Sequence, residues 1–244
     1  MTAIPSPPVC CSPRAFNFLG KQMKAMRYPY SLLQASLAIC MHRLCDLIPA
    51  VVHGQIRDYA MRVRSRVHGP QEQAFLAHLH EILFEEDGYK CAREPFQHTD
   101  NYIPIVLITK CGTPTALCLL YKAIAEQLGF RVGGIALPVF SVCSVEWDNN
   151  KSLFVNPCDG GRIVSREEIK EHVEAQDVEW SDSILEPISH RSWITRLLQN
   201  MVQSFADTQS FEDIAAALEM EMLLWPERLE LVRDIGLMLA QSLR

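Results

Sequence analysis

The sequence lacks the marks of a secreted, disulfide-linked or metal-binding protein. Its first eight residues have neither the basic nor the apolar stretch of a signal peptide, and they are rich in proline, which disfavours helix. The nine cysteines form no C-x-x-C pair, so their spacing predicts neither a disulfide framework nor a zinc ribbon. His78 and His80 are two residues apart in a predicted helix and point in different directions, so we expect no metal and no cofactor.

Positive charge is also scarce. With 23 Lys and Arg against 29 Asp and Glu, the formal net charge is −6, which disfavours nucleic acid as a partner because phosphate binding relies on basic side chains. The apolar stretch 31–52 contains His42, Arg43 and Asp46, each costly at the centre of a bilayer, so we expect a buried helix and no membrane span. The 48% share of hydrophobic residues predicts a folded core, and we expect a cytoplasmic protein.

Hydrophobic periodicity divides the chain into four segments and predicts an α+β fold. Residues 1–14 are expected to be a flexible tail, and residues 15–90 a helical region with three apolar stretches at helical spacing, the first reaching Leu44. Residues 91–172 should form a core in which a central helix packs on a small antiparallel sheet. Residues 173–244 should again be helical.

The core segment carries one strong helix signal. Thr113 suits the N-cap, Pro114 suits the first helical position, and Gly129 suits the left-handed residue that ends a helix. Between these residues the chain is apolar almost all round. A helix of this kind must be buried on every side, as it would be beneath a sheet.

Two strands and a glycine turn are predicted after this helix. The first strand covers 137–142 and the second covers 152–155, and a turn at 148–151 makes them an antiparallel hairpin. The sequence Asp159-Gly160-Gly161 predicts a tight structural turn, because glycine adopts positive φ without a steric clash. A phosphate-binding loop would instead need a helix start directly after it.

The C-terminal segment contains two amphipathic stretches, 211–224 and 227–243, separated at Trp225-Pro226. Their length and the proline between them match one tetratricopeptide (TPR) hairpin. A single hairpin of this type cannot bury its own apolar face, so it should dock on the preceding helices. It then either completes the core as a lid or offers a groove to a partner peptide.

Three blocks of the chain resemble a known family. They are 111–117 at the helix start, 137–142 at the first strand and 155–162 at the end of the second. In this order and spacing they are similar to the SirB-type transglutaminase-like family with C-terminal TPR-like helices, and further matches at 79–88 and 196–200 extend the similarity over most of the chain. The resemblance implies a transglutaminase-like or papain-like core, with a nucleophilic Cys at a buried helix start, a His on the next strand and an Asp or Asn on the strand after.

The three catalytic positions of such a core are altered in this chain. The resemblance puts Pro114 at the place of the Cys, Phe140 at the place of the His and Asn156 at the place of the Asp. It therefore implies a non-catalytic protein that acts by binding another protein, with these three residues side by side.

The alternative hypothesis is a Cys-dependent hydrolase or acyltransferase whose nucleophile has moved. Cys111 lies just before the predicted helix start, Cys118 lies four residues after Pro114 on the same face, and His98 and Asn156 would complete the site. A reactive thiol needs a lowered pKa, which a helix N-terminus or a nearby His can provide.

Overall fold

A computed structural model describes residues 7–26, 28–69, 72–137, 140–147 and 151–242. The helices run along the chain as α1 (Pro13–Met23), α2 (Pro29–Cys40), α3 (Pro49–Arg66), α4 (Glu72–His80), α5 (Ile103–Thr109), α6 (Pro114–Gln127), α7 (Arg166–Glu174), α8 (His190–Asp207), α9 (Phe211–Leu224) and α10 (Glu230–Ser242). The strands are β1 (Lys90–Cys91), β2 (Cys111–Gly112), β3 (Arg131–Ala136), β4 (Ser141–Trp147), β5 (Lys151–Asn156) and β6 (Arg162–Val164). This combination of helices and small sheets confirms the mixed fold class.

The chain divides into two compact units, each assembled from separate parts of the sequence. The first, here called the helical unit, comprises Met1–Pro49, Glu94–Ile103 and His190–Arg244. The second, here called the core unit, comprises Ala50–Arg93 and Pro104–Ser189. No described helix has both the length and the apolar character needed to cross a membrane.

In the helical unit, the N-terminal helices pack on the C-terminal ones. Helix α1 packs against α2 and α9, α2 packs against α8, and α9 lies between α8 and α10. Leu33, Leu37 and Cys40 are buried in α2 as the periodicity predicts, but the helix ends at Cys40, and the expected helical position of Leu44 is wrong. The residues from 41 to 48 form turns and coil before Pro49 begins the next helix.

A buried carboxylate fastens the start of the chain to α9. Glu219 has 4% of its surface exposed, and its two carboxylate oxygens accept hydrogen bonds from the backbone N–H groups of Val9 (2.6 Å), Cys10 (3.1 Å) and Cys11 (2.7 Å). These residues lie in the segment that composition predicts to be a flexible tail. The backbone donors satisfy the buried carboxyl oxygens, and they lie more than 200 residues from Glu219 in sequence, so local composition gives no sign of the contact.

In the core unit, α6 packs on an antiparallel sheet in the order β3-β4-β5-β6. The predicted hairpin of the second and third of these strands is present, with Cys143 opposite Val155. The predicted strand over 137–142 is wrong in its limits, because β3 ends at Ala136 and β4 begins at Ser141. Residues 135–140 form one apolar run across the junction of the two strands, so the sequence does not show where one ends. Pro138 and Val139 lie outside the described residues, as do residues 148–150 of the turn predicted over 148–151, whose last residue begins β5.

Candidate functional site

The start of α6 forms as its local signals predict. The hydroxyl oxygen of Thr113 accepts a hydrogen bond from the N–H of Ala116 at 3.3 Å, and Pro114 occupies the first turn, where its missing N–H needs no partner. Just before this start, β2 pairs in parallel with β1, so that Gly112 lies opposite Cys91. Pro114, which the resemblance predicts to stand at the nucleophile position, is the first residue of this capped helix and has no side-chain nucleophile.

A polar network holds the chain just ahead of β2. Lys110 has φ of +58°, which is unfavourable for a residue with a Cβ, and its ammonium donates to the hydroxyls of Tyr59 at 2.7 Å and Tyr89 at 3.2 Å. Tyr59 in turn donates to Asp87. Burial alone would raise the pKa of Asp87, but hydrogen bonds from Arg62 and Tyr59 lower it to about 2. These hydrogen bonds and charges stabilise Lys110 in its left-handed backbone conformation.

Phe140 is part of an apolar cluster. Its half-buried ring packs against buried residues of β3, β4, β6 and α7, and it meets the ring of His172 edge-on with the centroids 5.2 Å apart. The buried members of this cluster are Ile135, Leu137, Val142, Val164, Ile169 and Val173. A ring in this setting contributes packing, and it has no atom that can accept or donate a proton in place of an imidazole.

Asn156 caps a short turn. Its side-chain oxygen accepts a hydrogen bond from the N–H of Cys158 at 3.0 Å, which opens the 3-10 turn Pro157–Asp159. This turn packs against α6, which also packs against β4. The elements that carry Pro114, Phe140 and Asn156 thus belong to one unit, and their side-by-side arrangement stays a prediction.

The turn at Asp159-Gly160-Gly161 is a tight reversal between β5 and β6, as predicted. Both glycines have positive φ, +58° and +74°, and Asn156 pairs with Arg162 across the turn. Arg162 donates to the carboxylate of Asp159 at 2.6 Å. The turn is followed by strand β6 and not by a helix start, which is consistent with a structural role.

The three residues considered for a relocated nucleophile lie in different settings. Cys118 is fully buried in α6, its thiol donates to the carbonyl of Ser141 at 3.4 Å, and burial raises its pKa well above the usual value. Cys111 is half-buried on β2, two residues ahead of the helix N-cap. His98 belongs to the helical unit, where its ring stacks on Phe205 at 4.9 Å between centroids, and burial lowers its pKa.

Sequence reasoning missed two features of the core unit. His80 and Tyr121 share a hydrogen bond of 2.9 Å, and burial lowers the pKa of His80 to about 4. Cys91 on β1 packs against the turn that carries Cys158, and its proximity together with burial raises the pKa of Cys158. Neither pair has a sequence signal, because the partners are separated by tens of residues. Across the described parts of the chain, no three His, Cys, Asp or Glu side chains are grouped as metal ligands.

Comparison with known proteins agrees with this architecture. The family model of the Transglutaminase-like superfamily matches residues 50–199, which is more than half of the chain. The chain belongs to the transglutaminase-like superfamily. It is 26% identical to a UPF0162 protein of Xylella fastidiosa (strain Temecula1) over 214 residues, covering 84% of this chain and 76% of the relative. A UPF0162 protein of Vibrio cholerae serotype O1 is 30% identical over 101 residues, covering 41% of this chain and 37% of the relative. No solved structure matches the chain.

Proposed function

We propose that this transglutaminase-like protein acts by binding another protein and that its core carries out no acyl transfer. The observation that carries the proposal is the start of α6, where a proline ring stands at the nucleophile position that the family resemblance assigns. Proline has no side-chain nucleophile. Phe140, at the assigned base position, packs in an apolar cluster and has no proton-accepting atom, which supports the same conclusion.

The proposed binding surface is the outer face of α10 and the turn before it. Leu229, Val232 and Leu237 are 76%, 57% and 55% exposed, and the described part of α10 buries only Leu231 fully. Helix α10 packs against α9 as the second arm of a helical hairpin. Val232 and Leu237 are five residues apart, about 140° round the helix, so the exposed apolar side chains form a broad apolar surface and not a single stripe. Exposed apolar surfaces of this kind are typical of protein-binding sites.

An apolar pocket continues this surface within the helical unit. It is lined mainly by carbon atoms and lies between the N-terminal segment, α1, α9 and α10. Its walls include Pro8, Val9, Phe16, Met222, Val232 and Ile235. We expect an amphipathic helix of the partner to contact α10 and to insert an apolar side chain here. We also propose that α9 and α10 form a TPR-like hairpin, that the chain belongs to the SirB-type group and that the protein is cytoplasmic.

A pair of matched variants tests the surface. Val232 and Val51 are 57% and 58% exposed, and each is the third residue of its helix, α10 and α3 respectively. An Asp at either position meets the same helix dipole, but Val232 also lines the apolar pocket, so urea unfolding first checks that both variants are folded. The wild-type chain and both variants are expressed at native level in the source cell and purified under mild conditions, and bound proteins are quantified. We expect a stoichiometric partner that Val51→Asp keeps and Val232→Asp loses. A partner retained by both variants would refute the surface, and the absence of any stoichiometric partner would refute the binding function.

The competing function is a Cys-dependent enzyme that uses Cys111. That residue is half-buried and precedes the N-cap by two residues, so the helix N-terminus could favour its thiolate. Cys118 is a weaker candidate, because its burial disfavours the thiolate. Under the binding proposal, Cys111 in the folded protein should alkylate with iodoacetamide at neutral pH no faster than the same residue in the urea-unfolded chain. Faster labelling, together with an acyl-transfer or hydrolytic activity that Cys111→Ser abolishes, would favour the enzyme instead.

A further inference from the structure

Thiols are concentrated around the start of α6. Of the nine cysteines, five belong to the core unit: Cys91 on β1, Cys111 on β2, Cys118 on α6, Cys143 on β4 and Cys158 in the turn after β5. Cys118 and Cys143 are fully buried, whereas the other three are half-buried. An oxidant from solvent can therefore reach Cys91, Cys111 and Cys158 more readily than the two buried thiols.

Strand register separates two of the three accessible thiols, Cys91 and Cys111. In the parallel ladder, Cys91 lies opposite Gly112 and Cys111 lies opposite Lys90. Residues directly opposite each other share a face, and successive residues alternate between faces. Cys91 and Cys111 therefore point to opposite faces of the ladder and are poorly placed to react with each other.

The natural partner of Cys91 is Cys158. Strand β1 packs against the 3-10 turn Pro157–Asp159, so that the Cα atoms of Cys91 and Cys158 lie within 8 Å of each other. That turn is held by the cap from Asn156 and by the contact of Arg162 with Asp159. Two cysteines on packed elements at this separation need only a small backbone movement to form a disulfide.

We propose that Cys91 and Cys158 form a site of reversible oxidation, at which a peroxide joins the two sulfurs in a disulfide. The Cys91 thiolate attacks one peroxide oxygen, so that an S–O bond forms, the O–O bond breaks and hydroxide leaves to become water. The Cys158 sulfur then attacks the sulfenic acid of Cys91, so that the S–S bond forms, the S–O bond breaks and a second water leaves. The two sulfurs together lose two electrons, which the peroxide oxygens gain.

The order of these steps follows from the surroundings of Cys158. The neighbouring Cys91, burial, and to a smaller extent Cys111 and the carboxylate of Asp159 all raise the pKa of Cys158. Cys158 therefore stays protonated at neutral pH and serves as the second, resolving sulfur. The disulfide would tie β1 to the turn between β5 and β6, directly beside the start of α6.

Peptide mapping of the full chain tests the proposal without any variant. The folded protein is treated with a small excess of hydrogen peroxide, remaining thiols are alkylated, and the chain is digested with trypsin without reductant. Cleavage after Lys and Arg places Cys91 in peptide 91–93 and Cys158 in peptide 152–162, while Cys111 and Cys118 share peptide 111–122. We expect a linked species of 91–93 with 152–162 that a thiol reductant dissolves. Its absence after peroxide treatment, or a dominant link from 152–162 to 111–122, would overturn the proposal.

Two controls show whether the fold directs the link. The urea-unfolded chain should give a mixture of links, so an equal yield of the 91–158 link in the folded and unfolded chains would also overturn the proposal. Cys111→Ser should keep the link, whereas Cys158→Ser should lose it. Oxidation should raise the Tm of the wild type and of Cys111→Ser by about 5 to 10 °C, because the bond closes a long loop. No rise should occur in Cys158→Ser.

Discussion

The close approach of the glycine turn to a neighbouring ring gives a sharp stability prediction. Gly161 has φ of +74°, and a Cβ at this position would overlap Cδ2 and Cε2 of Phe84. A left-handed Ala costs about 1 kcal/mol, and forcing an extra methyl against a packed ring adds about 1–3 kcal/mol. The ring has little room to retreat, because it stacks on Tyr121 with centroids 6.4 Å apart and meets His80 edge-on at 5.7 Å. We therefore expect Gly161→Ala to lower the free energy of unfolding by about 2–4 kcal/mol.

The adjacent glycine provides the control. Gly160 has φ of +58°, but a Cβ there would have no heavy atom within 4 Å, so Gly160→Ala should cost only about 1 kcal/mol. The assay is urea unfolding followed by far-UV circular dichroism for both variants and the wild type. Adding Phe84→Leu to Gly161→Ala should recover part of the difference between the two glycine variants. Equal destabilisation by the two alanine substitutions would show that the ring moves aside and would refute the argument from close approach.

Two further predictions concern buried groups of the core unit. Cys118→Ser should lower the free energy of unfolding by about 1 kcal/mol, at the low end for a buried hydroxyl, because the carbonyl of Ser141 can accept its hydrogen bond. Cys111→Ser should lower it by less, because Cys111 is only half-buried. Urea unfolding of both variants checks this order. His80, with a pKa lowered by burial from 6.5 to about 4, binds its proton more weakly in the folded than in the unfolded state, so stability should rise between pH 4 and 6.5 by up to about 3 kcal/mol. In His80→Gln this part of the pH dependence should disappear, and an unchanged pH profile would mean that other groups cause it.

Local signals predicted the elements whose ends depend on their own residues. The N-cap at Thr113, the first-turn Pro114 and the helix stop at Gly129, which has φ of +100°, all form as expected. The break at Trp225 between α9 and α10 is also present. In each case one residue type fits the required backbone or hydrogen bond better than its neighbours do, so the sequence carries the information locally.

The sequence could not reveal features that depend on distant partners. The division between β3 and β4 falls inside a continuous apolar run, where periodicity has no contrast to detect. The polar network around Lys110 depends on Tyr59 and Asp87, which are distant in sequence. The left-handed backbone of Lys110 has no sequence signal, because lysine rarely adopts this conformation. For the candidate site, the family resemblance supplied the three altered positions, and only the structure showed that Phe140 packs in an apolar cluster.

The helical unit is assembled from three separate parts of the sequence, and this affects the order of folding during synthesis. The core unit lies wholly between residues 50 and 189, so its residues leave the ribosome together and can fold at once. Helices α1 and α2 are made earlier, yet they pack on α8 and α9, which are among the last parts to be translated. The end of α9 is translated about 200 residues after the end of α1, so at roughly 5–20 residues per second the faces that α1 and α2 present to the C-terminal helices wait up to about 10 to 40 s. During that interval the nascent chain is most exposed to aggregation, and a chaperone that covers apolar helix faces would have its main effect there.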